Sequence, residues 1–240
     1  MKILELMKEK QENNMENPCV TIAFLGDSVT QGCFELYQKN DTQVDTIFDK
    51  TSAYHNYIAK IFSVLFPSVP VNIINAGISG DSAPHAFTRI ERDVLKYSPD
   101  LTVVCFGLND SGAGMDGIHK YTSALDGIFK KLKESGSEII FMTPNMMNTS
   151  ISPHLGKDFL ERAKGSMKNQ CDGIMDAYMD AAREVCKENG IVICDCYRKW
   201  KLMNESGIET TELLANKINH PSRQMNWLFA AMLIDTILEN

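Results

Sequence analysis

The sequence lacks any apolar run long enough to span a bilayer, and residues 1–18 lack the apolar centre and small-residue cleavage site of a signal peptide. It also lacks a block of basic residues, since 24 Lys and Arg stand against 31 Asp and Glu and the formal net charge is −7. These absences exclude a membrane-spanning protein and argue against nucleic acid or an anionic membrane as a partner.

The cysteines form no recognisable disulfide or metal-binding pattern. Their number is odd, seven, and Cys105, Cys186 and Cys194 lie in apolar runs where Cys behaves as a small hydrophobe. Cys194 and Cys196 make a C-x-C pair, but no second pair or His cluster completes a zinc site. We therefore expect a protein without a metal that resides in the reducing cytoplasm.

The composition itself, 240 residues with 44% hydrophobic and 23% charged, is that of a soluble globular protein. Residues 1–18 predict a helical extension, because Ile3, Leu4 and Met7 fall on one face of a short helix that would pack on the body or on a partner subunit. Residues 19–240 contain no internal repeat and no low-complexity linker, so we expect them to form one domain.

Strand and helix patterns alternate through this domain. Helical spacing of apolar residues occurs around 54–65, 121–132, 177–186 and 227–238. Five apolar, β-rich runs lie before or between these patterns, at Val20–Leu25, Val71–Asn75, Leu101–Phe106, Glu138–Met142 and Ile191–Cys194. Such alternation predicts a doubly wound, three-layer α/β/α domain of flavodoxin-like type with a five-stranded parallel sheet.

In a sheet of this kind, ligands bind beyond the carboxyl ends of the strands. The segments expected at that edge are rich in Gly, Ser, Asn and Asp, and they comprise residues 26–32, 75–82, 107–114, 143–156 and 216–222. We therefore expect any chemistry to be carried by these five segments.

Four residues in these segments have the chemistry that acyl transfer needs. Ser28 follows the first strand, and its hydroxyl becomes a nucleophile once a base such as His220 takes its proton. Gly80 can bring a backbone amide close to a ligand, and Asn109 offers a side-chain amide to an oxyanion. Taken singly, a tight turn would explain Gly80 and a helix cap would explain Asn109.

Taken together, four ordered blocks resemble the SGNH (GDSL) hydrolases, an esterase and lipase family. The blocks are GDS ending at Ser28, NAGISGD with Gly80, GLND with Asn109, and His220-Pro221, and the resemblance covers about residues 19–240. It implies Ser28 as nucleophile, His220 as base, and an oxyanion hole made by the Ser28 amide, Gly80 and Asn109, with no cofactor. It also implies hydrolysis of a small-molecule ester, often deacetylation of an acylated carbohydrate, with lysophospholipid or thioester hydrolysis as less favoured alternatives.

One position departs from the family pattern. The family usually has Asp three residues before the His, and Lys217 stands there; its ammonium cannot accept a hydrogen bond from imidazole. A backbone carbonyl of the 216–219 loop, the Asn216 side chain or the more distant Asp195 could orient His220 instead, and the first two are favoured because they need no long reach. We expect Lys217 itself to point to solvent.

Two other function classes stay open at this point. Lys217 is also compatible with a catalytically weakened or inactive binding protein on the same scaffold, and the fold alone would permit a flavodoxin-like cofactor binder. The segment 33–51 is expected to be either a solvated loop or a lid over the pocket. An oligomer is compatible with everything above.

Overall fold

A computed structural model describes all 240 residues, and its centre is a parallel sheet of five strands. The strands of the chain are β1 (Val20–Gly26), β2 (Cys33–Asn40), β3 (Gln43–Phe48), β4 (Val71–Gly77), β5 (Leu101–Cys105), β6 (Glu138–Met142) and β7 (Val192–Cys194). The order in the sheet is β4-β1-β5-β6-β7, while β2 and β3 form a separate antiparallel hairpin. The predicted fold class is confirmed, because all five expected strands are present and pair in parallel.

Helices cover both faces of the sheet, as a doubly wound fold requires. They are α1 (Lys2–Glu12), α2 (Ser28–Gln31), α3 (Tyr54–Leu65), α4 (Ala83–Asp93), α5 (Ile118–Glu134), α6 (Leu160–Cys171), α7 (Ile174–Asn189), α8 (Cys196–Glu205) and α9 (Arg223–Glu239). Helices α3 and α9 pack against each other, and α5 packs between α4 and α7. No helix combines the length and the apolar character that crossing a bilayer demands.

The N-terminal helix α1 packs on the body of its own chain. Ile3 and Met7 are fully buried and belong to the same hydrophobic core as the sheet. The Glu138 carboxylate, at the start of β6, accepts hydrogen bonds from the backbone amides of Lys2 and Ile3 at 2.9 and 2.7 Å. These bonds satisfy two of the amides that a helix leaves without partners at its first turn.

Most of the segment 33–51, expected as a solvated loop or a lid, forms the β2–β3 hairpin. Half of the residues in its strands are polar and half are exposed, and register shifts between Cys33 and Leu36 and between Gln38 and Asn40 interrupt the pairing. A hairpin without a regular apolar alternation gives little period-2 signal, which is why the sequence pattern did not indicate it. The hairpin brings Phe34 and Leu36 close to the carboxyl edge of the sheet.

Candidate active site

The sheet register brings three strand ends to one level. Gly26 at the end of β1 pairs with Gly77 of β4 on one side and with Cys105 of β5 on the other. The strand order reverses direction at β1, so a crevice opens at this edge between β1 and β5. The loops that carry Ser28, Gly80 and Asn109 leave the sheet from β1, β4 and β5, and all three residues line one cleft.

The position of Ser28 is set by the four-residue helix α2. The Asp27 side chain caps this helix by accepting from the amide of Val29 at 2.9 Å, and Gly32 ends it in the left-handed region with φ 91°. A side chain at Gly77 would place its Cβ 2.3 Å from the amide nitrogen of Gln31, so only glycine lets α2 lie this close to β4. Ser28 is thereby held at the N-terminus of α2, where the free amides favour negative charge.

Ser28 and His220 lie within hydrogen-bonding distance across 192 residues of sequence. The Ser28 Oγ and the His220 Nε2 are 3.0 Å apart. Both side chains are nearly buried, with 3% and 5% of the residue surface exposed. This is the reach that proton transfer from a hydroxyl to an imidazole base requires.

The other ring nitrogen of His220 contacts the hairpin. His220 Nδ1 lies 2.8 Å from the backbone carbonyl oxygen of Phe34. A carbonyl can only accept, so the proton resides on Nδ1, and Nε2 is left as the acceptor that faces Ser28. This bond fixes the tautomer that a general base needs.

The prediction that Asn216 or a carbonyl of the 216–219 loop orients His220 is wrong, because the Phe34 carbonyl holds this position. The Asn216 Oδ1 accepts from the backbone amides of Ile218, Asn219 and His220, and its Nδ2 donates to Asn219, so Asn216 shapes the loop and does not reach the ring. Carbonyls of the 216–219 loop do not reach it either. The carbonyl oxygens of Ile218 and Asn219 accept from Asn148 and Asn145 instead.

The Asp195 carboxylate binds other partners and not His220. Its carboxylate accepts from Thr143, from the Arg183 guanidinium and from the amide of Arg198 at the start of α8. These bonds join the end of β6, α7 and α8, and none of them involves His220. Asp195 is a structural cap in this fold.

Two further donors point at the space beside Ser28. Gly80 has φ 79°, its amide donates to no acceptor of the protein, and a Cβ there would meet nothing within 4 Å. Asn109 is not used as a helix cap; one hydrogen of its Nδ2 goes to the Asp81 carbonyl oxygen at 2.8 Å, and the second is free. An oxyanion beside Ser28 would find these donors together with the Ser28 amide.

A buried ion pair that the sequence pattern did not indicate lies beneath these donors. Arg89 donates from Nε to the Asp81 carboxylate at 2.7 Å and also binds the carbonyl oxygens of Gly26 and Ala76, the ends of β1 and β4. The Asp110 carboxylate accepts from the amide of Gly107, which holds the turn before Asn109. Arg89 lies within helix α4, outside the four sequence blocks, so the sequence pattern gives no sign of its contacts.

Burial sets the protonation of the site. Desolvation lowers the pKa of His220 below its usual range, although the Phe34 carbonyl and the charge of Glu35 oppose that shift. Desolvation also raises the pKa of Asp27 to about 7, and the neighbouring carboxylates of Asp110 and Asp81 add to this shift. His220 is consequently neutral at pH 7, which is the form that accepts a proton.

The cleft over Ser28 is small and polar. Its volume is about 360 Å³, and only Leu36 and Ile218 among its 13 lining residues are hydrophobic. Residues 161–166 of α6 also line the cleft and present Glu161, Arg162 and Ser166. No group of three or more His, Cys, Asp or Glu side chains is arranged to hold a metal ion.

Comparison with known proteins assigns the chain to a family. The model of the GDSL-like lipase/acylhydrolase family matches residues 24–228, which is most of the chain. The chain belongs to this family. An acetylxylan esterase of Geobacillus stearothermophilus is 24% identical over 132 residues, covering 51% of the chain and 58% of that esterase. An arylesterase of Vibrio mimicus is 26% identical over 134 residues, covering 53% of the chain and 64% of that enzyme, so the matches span about three fifths of these curated relatives.

Solved structures of the family share the fold. The acetylxylan esterase of Geobacillus stearothermophilus superposes with a TM-score of 0.66 at 19% identity, over 91% of this chain and 94% of that one. A two-domain esterase active on acetylated mannans superposes with a TM-score of 0.68 at 15% identity, over 99% of this chain and 52% of that one. At these identities the likeness shows the architecture alone.

Within this GDSL-like frame, Lys217 takes no part in orienting the base. Its ammonium donates to the Glu212 carbonyl at 2.8 Å and pairs with the Glu212 carboxylate at 3.0 Å. The prediction that Lys217 leaves His220 alone agrees with these contacts, whereas the expected exposure was wrong because the side chain folds back onto Glu212 and is one-fifth exposed.

Proposed function

We propose that this protein is a serine ester hydrolase that removes short acyl groups, acetyl above all, from hydroxyl-rich alcohols such as carbohydrates. The observation that carries the proposal is the 3.0 Å approach of Ser28 Oγ to His220 Nε2 at the floor of a polar cleft. Family membership supports the ester bond as the target, and the acetyl-sugar esterases among the relatives support the substrate class.

The proposed reaction follows from the positions of the atoms. Ser28 Oγ attacks the ester carbonyl carbon while His220 Nε2 takes the hydroxyl proton. The carbonyl oxygen becomes an oxyanion and accepts from the amides of Ser28 and Gly80 and from Asn109 Nδ2. The imidazolium then returns its proton to the leaving alcohol, and water removes the acyl group from Ser28 by the same steps in reverse.

The lining of the cleft supports short acyl chains. A long acyl chain needs a continuous apolar surface, at roughly 25 cal/mol per Å² of area removed from water. Leu36 and Ile218 alone cannot supply such a surface, so a lysophospholipid or a fatty acyl ester has little to bind. The polar side chains around them are suited to hydroxyl groups.

The test compares p-nitrophenyl acetate, p-nitrophenyl octanoate and acetylated xylo-oligosaccharides as substrates. We expect kcat/KM to be highest for acetyl esters, with acetate released from the oligosaccharide. Ser28→Ala should lower kcat by about 10⁴-fold or more while the urea unfolding curve stays unchanged. Equal residual turnover by the native chain and Ser28→Ala would instead identify an inactive binding protein, and a preference for octanoate would refute the short-acyl assignment.

A further inference from the structure

The Phe34 carbonyl can orient His220 only if the hairpin that carries it is held still. Phe34 is the second residue of β2, and the hairpin begins directly after the short helix α2. At its base, Cys33 pairs with Phe48, and the amide of Asp49 donates to the carbonyl oxygen of Gly32 at 2.9 Å. The pairing is irregular beyond Cys33, so the ladder alone does not fix the carbonyl that faces His220.

Arg223 contacts β2 and the residue that follows β3, on both sides of the hairpin base. Its Nη1 and Nη2 donate to the two carboxylate oxygens of Glu35, at 2.5 and 3.1 Å, and its Nε donates to Asp49 at 2.9 Å. The guanidinium carbon also lies 4.4 Å from the centre of the Phe34 ring. A guanidinium is planar and carries five donors, so it can hold two carboxylates and stack on a ring at once.

Arg223 and His220 therefore hold the same residue from two sides. They are three positions apart, and Arg223 is the first residue of α9. His220 binds the Phe34 carbonyl while Arg223 packs on the Phe34 ring and ties Glu35, the next residue, to α9. A shift of the hairpin base would lengthen the Nδ1 contact directly.

We propose that Arg223 is the positioning residue that keeps the Phe34 carbonyl on His220 Nδ1, where this carbonyl takes the place of the carboxylate that the family usually has three residues before the His. This inference rests on the proposed serine hydrolase function. Arg223 does not touch the reacting atoms; it acts through Phe34. The bidentate bond from Arg223 lowers the pKa of Glu35, so Glu35 stays charged near the imidazole.

The test compares Arg223→Gln and Arg223→Lys with Arg183→Gln as a matched control. Arg183 also bridges two carboxylates, Asp180 and Asp195, at a similar exposure of 28% against 32% for Arg223, and it contacts no residue of the cleft. We expect Arg223→Gln to lower kcat for p-nitrophenyl acetate by about 10²-fold with little change in KM, as misplacement of a base does. Arg223→Lys should recover part of the loss, because an ammonium can still bind Glu35.

A second measurement follows the tautomer of the His220 ring directly. ¹⁵N NMR of the histidines should show the His220 Nδ1–H tautomer in the native chain and in Arg183→Gln, and a mixture of tautomers in Arg223→Gln. If Arg223→Gln keeps the native tautomer and loses no more kcat than Arg183→Gln, the inference is wrong although the proposed function stands. If Ser28→Ala is as active as the native chain, the proposed function fails first, and the NMR comparison still decides whether Arg223 orients the ring.

Discussion

Replacement of Asn109 tests whether its side-chain amide stabilises the oxyanion that forms beside Ser28. Its Nδ2 carries two hydrogens, of which one binds the Asp81 carbonyl oxygen at 2.8 Å and the other is free to face the space beside Ser28. Asn109→Ala removes both. The loss of an oxyanion donor costs about 10²–10³ in kcat, or about 3–4 kcal/mol of barrier, whereas loss of the half-buried bond to Asp81 costs about 1 kcal/mol of folding free energy.

The control for this change lies two residues away. Ser111 Oγ donates to the Leu108 carbonyl oxygen at 2.9 Å, and Ser111 is buried outside the cleft. Ser111→Ala therefore removes one hydrogen bond from the same turn without touching the proposed oxyanion. Steady-state kinetics with p-nitrophenyl acetate and urea unfolding of both variants separate the catalytic loss from the structural one.

We expect both variants to lose similar folding stability, but only Asn109→Ala to lose kcat by about two orders of magnitude or more. Asn109→Asp should be worse than Ala, because a carboxylate would repel the developing oxyanion. The reasoning is refuted if Asn109→Ala and Ser111→Ala retain the same kcat, since Asn109 would then only support Asp81.

Three further outcomes follow from the contacts described above. Because burial lowers the pKa of His220, kcat/KM should rise with pH along an acid limb centred below the usual His value of about 6.5 and then level off; a pH–rate profile with its midpoint above that value would contradict the buried, carbonyl-bound ring. Lys217→Asp should leave kcat unchanged, because Phe34 already occupies His220 Nδ1, and a large gain in kcat would show that the carbonyl is a poor orienter. Glu138→Ala should lower the urea unfolding free energy by about 1 kcal/mol through loss of two helix-end bonds, without a change in kcat; an unchanged unfolding curve would mean that α1 needs no such cap.

The central sheet was predictable because its inner strands β1, β5 and β6 are buried on both faces and consist of nearly continuous apolar runs. Even the edge that carries the cleft followed from the rule for parallel sheets, which places Ser28, Gly80 and Asn109 together. The ends of the strands differed by one or two residues, as at Val71–Gly77, where Ala76 and Gly77 add little to an apolar pattern.

The orientation of His220 was not predictable from the sequence. A side-chain acceptor such as Asp can be recognised in the sequence at a fixed spacing from the His. A backbone carbonyl is present at every residue, so the sequence does not show which one binds the ring. The hairpin that supplies the Phe34 carbonyl also lacks a regular apolar alternation, so both its presence and its position depend on the fold. Arg223, three residues after His220, was visible in the sequence, but its partners Glu35 and Asp49 lie more than 170 residues earlier.

Exchange of a carboxylate for a carbonyl changes the chemistry of the base as well as its geometry. A carboxylate on Nδ1 would stabilise the imidazolium and raise the pKa of the ring, whereas the neutral Phe34 carbonyl does so much less. Burial, opposed only in part by the carbonyl on Nδ1, lowers the pKa of His220, and the imidazolium is correspondingly less stabilised when Ser28 gives up its proton. Glu35 compensates in part, because its charge lies near the ring while Arg223 holds it in place. On this argument the orienting task of a single Asp is divided in this chain: Phe34 fixes the tautomer, and Glu35 supplies the charge.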